Sequence, residues 1–162
     1  MKKLGDLTIS TPSDRELAMT RVFDAPRELV FAAYTKPELI RRWLGVQNGW
    51  SMSVCEVDLR VGGTYRYVWS KPSSPDMGMA GIFREIRAPE RIVSSERFDD
   101  PWYPGEGLAT TLLVEEAGKT TLTLLVRYDS KEVRDAVIAS PMDTGVAASF
   151  VKLTEVLASL RD

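Results

Sequence analysis

The stretch MDTGVAASFVKLTEVLASLRD, residues 142–162, decides the fold, because it predicts the longest helix of the chain. Apolar residues recur along it at intervals of 4, 3, 4 and 3 positions, at Val146, Phe150, Leu153, Leu157 and Leu160. This spacing places them on one face of a helix, and such a stripe is normally buried against another element. The rest of the chain therefore has to supply a broad apolar surface that covers this face.

The residues before this helix predict an antiparallel sheet. After a short alternating piece in GDLTISTPSD, strand patterns cover residues 15–24, 50–58, 64–70, 79–86, 91–98, 108–116 and 119–128. Consecutive short turns indicate antiparallel pairing, and such a sheet has to bury one face. We predict an α+β fold in which a strongly curved antiparallel sheet wraps around the long C-terminal helix, as a single domain over residues 1–162.

Three shorter helices complete the prediction. DAPRELVFAAYT and KPELIRRWL follow the first long strand, each with proline in its first turn, and the second ends at Gly45. A further helix begins at Ser130, which is a favourable N-cap, and Pro141 separates it from the long helix.

Composition excludes several classes of function. The chain has 162 residues, 44% of them hydrophobic and 27% charged, with a net charge of −2, which is ordinary for a soluble globular protein and lacks the basic surface that nucleic acid requires. No apolar run reaches the ~18 residues of a membrane helix, and no signal peptide is evident. We expect no nucleic-acid or membrane partner, and the single cysteine favours a cytoplasmic location.

The chain contains no histidine, which removes the Ser-His-Asp and Cys-His catalytic triads. A single cysteine cannot build a zinc site without histidine, so we predict no metal and no cofactor. Cys55 alternates with Ser53 and Val57, and we interpret it as a small buried hydrophobe. RVGGTY is not a dinucleotide fingerprint, because it lacks the third glycine and leads into a strand. We assign no catalytic residue.

The strand TYRYVWS, residues 64–70, places Tyr65, Tyr67 and Trp69 on one face. Two interpretations remain open. The three rings are either plain core, since aromatic side chains bury the most surface, or the wall of a cavity, since binding pockets are often lined by aromatic residues.

Other strands and the long helix supply companions for these rings. Leu122, Leu124, Val126 and Tyr128 share one face of the last strand. The candidate ligand-binding residues are Tyr65, Tyr67, Trp69, Phe83, Glu96, Leu124, Val126, Tyr128, Val146 and Phe150.

Glu96 is the chemically distinctive member of this set. It alternates with Ile92, Ser94 and Phe98, so it faces inward if they do. A buried carboxylate requires a partner or a raised pKa. The alternatives are an arginine partner, an outward-facing strand phase, a polar anchor for a ligand, or an acid–base group. Glu85 invites the same argument more weakly.

The loop DDPWYPGEG, residues 99–107, carries Trp102 and Tyr103 between prolines. It is either a pocket lid or a partner contact, as functional loops often are, or a loop held by its own side chains. The second interpretation is favoured.

Several segments resemble the domain family named after the activator of heat-shock protein 90 ATPase. They are RVFDAPRELVFAAYTKPELIRRWLG, VDLRVGGTYRYVW, GIFREIRAPERIVSSERF and GKTTLTLLVRYDSKEVRDAV, and the resemblance covers about residues 15–160. The family lies within the START-like, helix-grip superfamily (SRPBCC). The resemblance implies that superfamily's fold, while leaving the activity open, because fold does not determine function.

Two positions depart from the pattern of this family. Gly45-Val46 stands where the family often has Gly-Pro, and Gly145-Val146 where it often has Gly-Trp. If that tryptophan closes one end of the cavity in the family, Val146 leaves the cavity larger or differently shaped.

Three functions follow from the sequence and the resemblance. The favoured one is binding of a small, mostly apolar ligand whose polar groups meet Tyr67, Glu96 or Tyr128. The second is a chaperone-associated interaction protein, with a role in the stress response. The third is a cyclase-like or hydrolase-like enzyme that uses Glu or Tyr in place of histidine. A monomer and a homodimer both remain open.

Overall fold

The computed structural model describes residues 1–161, and Asp162, the last residue of the predicted C-terminal helix, lies outside the described residues. The strands are β1 (Lys2–Leu4), β2 (Leu7–Ser10), β3 (Glu16–Phe23), β4 (Ser51–Val57), β5 (Thr64–Ser70), β6 (Met77–Arg87), β7 (Arg91–Phe98), β8 (Gly107–Glu116) and β9 (Lys119–Arg127). The helices are α1 (Arg27–Thr35), α2 (Pro37–Ile40), α3 (Lys131–Ala139) and α4 (Met142–Arg161).

The described strands form one antiparallel sheet in the order β1-β2-β3-β9-β8-β7-β6-β5-β4. All seven strands predicted from residue 15 onward are present, with bounds shifted by a few residues. The alternating piece in GDLTISTPSD forms β2, and β1, which the sequence did not predict, pairs with it at the sheet edge. The α+β prediction is confirmed, because the sheet curves around α4.

Helix α4 carries the main apolar contact of the fold. Phe150, Leu153 and Leu157 are each 2% exposed or less, which confirms the stripe expected from their spacing. The ring of Phe150 meets Phe23 of β3 edge-on, at 5.5 Å between centroids, and Trp43 at 6.2 Å. The helix is therefore held by the sheet on one side and by the segment after α2 on the other.

The loop after α2 joins the sheet to α4. Gly45 ends this helical region with a φ of +69°, and a Cβ atom there would lie 2.6 Å from Nε1 of Trp69, so the close approach requires glycine. The indole N–H of Trp69 donates to the carbonyl of Leu44 at 2.8 Å. The amide of Gly45 donates to the hydroxyl of Ser149 on α4 at 3.0 Å. These contacts fix the loop across the gap between α4 and β5.

Replacing Leu153 by alanine should destabilise the fold by about 2–5 kcal/mol, because the side chain is fully buried and its removal leaves a cavity. Val151 is the matched control, since it lies on the same helix but is 55% exposed. Val151→Ala should change the free energy of unfolding by no more than about 0.5 kcal/mol. Urea denaturation of both variants measures the difference, and equal effects would contradict the packing described for α4.

Candidate functional site

A cleft of about 340 Å³ lies between α4 and the sheet, bounded by α1 and by the loop after α2. We call it the helix–sheet cleft. Its wall consists of Tyr34, Trp43, Leu44, Gly45, Gln47, Trp50, Trp69, Met77, Phe98, Leu124, Met142, Gly145, Val146, Ser149 and Phe150. Met77 is 47% exposed, which places the open rim of the cleft at the beginning of β6.

The wall of the helix–sheet cleft is mostly apolar, and few of its polar atoms are free to meet a ligand. The hydroxyl of Ser149 is already used by the amide of Gly45. The side-chain amide of Gln47 donates to the carbonyl of Gly145 at 3.4 Å, whereas its Oε1 atom is occluded and has no partner. Such a wall suits a molecule that is mainly apolar and has few polar groups.

Three other depressions lie outside the space between α4 and the sheet. One of about 180 Å³ lies beside the N-terminal strands and α3, and one of about 360 Å³ lies between the β1–β2 hairpin and the outer side of α4. The third, of about 300 Å³, contains Arg15, Arg84 and Arg127 beside Glu106 and Asp129. The helix–sheet cleft differs from them in its aromatic wall.

The sequence-predicted residues divide into two groups. Trp69, Leu124, Val146 and Phe150 line the helix–sheet cleft. The other predicted residues lie away from its wall. Tyr65, Tyr67, Phe83, Val126 and Tyr128 are buried, and Glu96 lies among them on β7. The rings of Tyr65 and Tyr67 are 4.9 Å apart and those of Tyr67 and Trp69 are 5.9 Å apart. The aromatic face of β5 is thus core at one end and cleft wall at the other.

The N-terminal end of α4 leaves space in the helix–sheet cleft. Gly145 and Val146, where the family often has Gly-Trp, both line it. A Cβ atom at Gly145 would find only Nε2 of Gln47, at 4.0 Å. That valine at position 146 leaves room which a larger side chain would fill stays a prediction.

Glu96 lies between two glycines in the sheet. The register of β7 with β8 pairs it with Gly107, and continuing the β6–β7 register from the Ala80–Arg97 pair brings Gly81 to its other side. Because glycine has no side chain, rings from the next strands lie over these positions. A Cβ atom at Gly81 would lie 2.6 Å from the ring of Tyr65, and one at Gly107 would lie 3.7 Å from the ring of Tyr128.

Four tyrosines lie near Glu96, because Tyr67 packs on Tyr65 and Tyr103 packs on Tyr128. We call Glu96, Tyr65, Tyr67, Tyr103 and Tyr128 the Glu96 cluster. Burial raises the pKa of each tyrosine above its ordinary value, and the nearby Glu96 carboxylate raises it further. The rings of Tyr103 and Tyr128 meet edge-on at 5.3 Å. The hydroxyl of Tyr65 donates to the backbone carbonyl of Ser95 at 2.7 Å.

Burial raises the pKa of Glu96 to about 7, and Tyr103 opposes the shift as a hydrogen-bond donor. The hydroxyl of Tyr103 is occluded and forms no hydrogen bond of good geometry, so it offsets only part of the rise in the pKa of Glu96. Within residues 1–161, no ion pair includes Glu96. Glu85 differs, because its Oε2 atom forms an ion pair with Nε of Arg91 at 2.8 Å and its side chain is 39% exposed.

Sequence reasoning did not assign Tyr34 or Tyr103 to a site. Tyr34 belongs to the helical pattern of α1, and no local sequence pattern indicates that it lines the cleft. Trp102 is 45% exposed and Tyr103 only 5%, and their rings meet at 4.9 Å. Phe98 packs on both of them. The rings of the loop pack on each other and on residues outside it, and Tyr103 thereby reaches the Glu96 cluster.

No helix within residues 1–161 is long and apolar enough to cross a membrane. The same residues contain no group of three or more Asp, Glu, Cys or His side chains placed to hold a metal ion. Cys55 is buried and unpaired within the described chain, as predicted for a small hydrophobe.

The curved sheet around a long C-terminal helix defines a START-like, helix-grip protein. Residues 24–158 match the family described as Activator of Hsp90 ATPase homolog 1-like protein, and the chain belongs to this family. No curated protein matches the chain.

Solved structures agree with this assignment. A protein from Rhodobacter sphaeroides is 34% identical, with a TM-score of 0.89, over 95% of this chain and 99% of that one. A protein from Nitrosomonas europaea is 25% identical, with a TM-score of 0.80, over 92% and 97% of the two chains. An HSP90 activator from Plasmodium falciparum is 24% identical, with a TM-score of 0.56, over 76% and 84%, and shares the fold.

Replacing Glu96 by glutamine should change how stability depends on pH. The folded-state pKa of about 7 lies above the ordinary 4.5, so the native protein binds this proton more tightly than the unfolded chain. The wild type therefore loses stability as pH rises from about 4.5 through 7. The loss is at most about 3 kcal/mol, and less to the extent that Glu96 remains accessible. Glu96→Gln should lack this loss.

Urea denaturation between pH 4.5 and pH 8 measures the effect as a rising stability advantage of Glu96→Gln over the wild type. Glu155→Gln, on the exposed side of α4, is the control and should show no such advantage. A constant difference between Glu96→Gln and the wild type across this range would contradict the raised pKa.

Proposed function

We propose that this protein binds a small, mostly apolar molecule in the helix–sheet cleft. The observation that carries the proposal is the cleft of about 340 Å³, lined by aromatic side chains of α1, the loop after α2, the sheet and α4. Ligand pockets commonly have volumes of roughly 300–1,000 Å³ and a mainly apolar wall with a few polar groups. The cleft fits both criteria.

The Glu96 cluster is the natural contact for the polar group of the ligand. Phe98 lines the cleft and shares a face of β7 with Glu96, two residues away, a separation of roughly 7 Å along a strand. Trp69 also lines the cleft, and its ring meets that of Tyr67 at 5.9 Å between centroids. Tyr67 in turn lies close to Glu96. These contacts lead from the apolar cleft to a polar interior.

Val146→Trp should lower the affinity for an apolar probe at least tenfold, because the indole would occupy the space beside Gly145 that the ligand requires. The probe is neutral N-phenyl-1-naphthylamine, whose fluorescence rises in apolar surroundings. Val151→Trp is the matched control, since it makes the same change on the same helix at a position that is 55% exposed and outside the cleft.

The titration separates two outcomes. Saturable binding to the wild type and to Val151→Trp, with loss in Val146→Trp, supports the cleft as the binding site. Absence of saturable binding to the wild type, or equal affinities in all three proteins, would argue against the proposal.

A second candidate is stimulation of a heat-shock protein 90 ATPase through a direct contact with the chaperone. The observation that favours it is the match of residues 24–158 to a family whose description names that activity. Such a contact would use the outer surface of the domain, so it does not require the helix–sheet cleft.

The chaperone contact predicts that the purified chain raises the ATPase rate of the heat-shock protein 90 homologue from its own host and is retained with it in a pull-down. Val146→Trp should keep both effects, because it alters only the cleft. If the wild type neither raises the rate nor is retained, this candidate is removed and ligand binding is unaffected.

A further inference from the structure

We propose that the ligand of the helix–sheet cleft is a hydrophobic amine, with Glu96 as the counter-ion of its ammonium group and the tyrosine rings of the Glu96 cluster around it. This inference rests on the proposed function and deepens it, because it assigns a chemical class to the ligand. Four observations support it: an unpaired carboxylate, accessible surface on that residue, aromatic rings near it, and ring contacts that join these rings to the wall of the cleft.

The first observation is that Glu96 has no positive partner. Ten ion pairs occur within residues 1–161, and Glu96 belongs to none of them, although the chain has 21 Lys and Arg residues. Its pKa is raised by burial, and no positive side chain counteracts that effect. A buried carboxylate is stabilised by an opposite charge with good geometry, and a bound ammonium group would supply that charge.

The second observation is that Glu96 is not fully enclosed by the protein. Only three buried side-chain atoms within residues 1–161 are fully occluded and lack a hydrogen-bond partner: Gln47 Oε1, Glu85 Oε2 and Tyr103 Oη. The carboxylate oxygens of Glu96 are not among them, although no side-chain hydrogen bond or ion pair of good geometry holds them. Glu96 also retains accessible surface while protein surrounds it.

The third observation is the chemistry around the carboxylate. The rings of Tyr65 and Tyr128 lie over the glycines on either side of Glu96, and Tyr67 and Tyr103 pack against these two rings. The negative faces of aromatic rings attract ammonium groups. Organic ammonium ions are commonly recognised by such aromatic surroundings. A ligand carboxylate would instead meet the charge of Glu96 with no lysine or arginine to balance it. The cluster therefore favours an amine over an acid of the same size.

The fourth observation is the route by which an amine would reach Glu96. Trp69 and Phe98 belong to the wall of the helix–sheet cleft, and both contact the Glu96 cluster. The ring of Phe98 meets Tyr103 edge-on at 6.2 Å between centroids, and the ring of Trp69 meets Tyr67 at 5.9 Å. An alkyl chain in the apolar cleft can therefore extend its terminal group toward Glu96. The tryptophans of the cleft would cover the chain.

The test compares three probes of equal chain length: octylamine, octan-1-ol and octanoate. Their affinities for the full chain are measured by displacement of N-phenyl-1-naphthylamine. At pH 8 octylamine should bind at least tenfold more tightly than octan-1-ol, and octanoate should bind most weakly. The preference for the amine should shrink several-fold at pH 5.5, because protonation of Glu96 removes the counter-ion while the amine stays charged.

Variants complete the test. Glu96→Gln should abolish the preference for octylamine over octan-1-ol, whereas Glu85→Gln, at a surface carboxylate paired with Arg91, should retain it. The pH series on the wild type tests the same point without any substitution, so a failure of Glu96→Gln to fold would not remove the test.

The outcomes separate this inference from the proposed function. If octan-1-ol binds saturably but octylamine binds no better, or if Glu96→Gln keeps the preference, the amine assignment is wrong and the cleft remains a binding site. If none of the apolar probes binds, the proposed function fails and the amine assignment fails with it.

Discussion

The structure depends on burying one apolar face of α4 inside a curved antiparallel sheet. Phe150, Leu153 and Leu157 supply that face, and nearly all of their surface is removed from water. Burial of such side chains contributes roughly 1.5–3 kcal/mol each, so this contact makes a substantial contribution to the stability of the fold. Since the helix is straight and the sheet is curved, the two surfaces separate toward one end of the helix. The helix–sheet cleft occupies that end.

The same contact explains why the cleft remains open. Gly45 permits Trp69 to approach the loop after α2, and Ser149 ties that loop to α4. Hydrogen bonds thus hold the loop in place beside α4, so its position does not require a side chain packed between the two. Gly145 and Val146 are small residues at the point where a large one would fill the gap. The cleft therefore results from the hydrogen-bonded loop on one side and from the small residues Gly145 and Val146 on α4.

Local patterns in the sequence predicted most of the fold and only part of the candidate site. The period of two identified the long strands, and the stripe on the last helix identified α4. Strand β1 was missed, because three residues that include two lysines carry no pattern. Tyr103 was not assigned to a site, because the direction of a loop side chain depends on its tertiary contacts. Here these are contacts with Phe98 and Tyr128, which no periodic pattern in the sequence relates to Tyr103. The pairing of Glu96 with Gly107 depends on strand register, which local periodicity leaves open.

Strand register also explains how a carboxylate can remain buried without an ion pair. Glu96 avoids crowding because its neighbours across the sheet are Gly81 and Gly107, and the rings of Tyr65 and Tyr128 reach over them. An apolar residue at position 96 would avoid the desolvation cost that the raised pKa of Glu96 reflects. Stability alone would favour that replacement. The proposed recognition of an ammonium group would account for a carboxylate that is kept among aromatic rings at this cost.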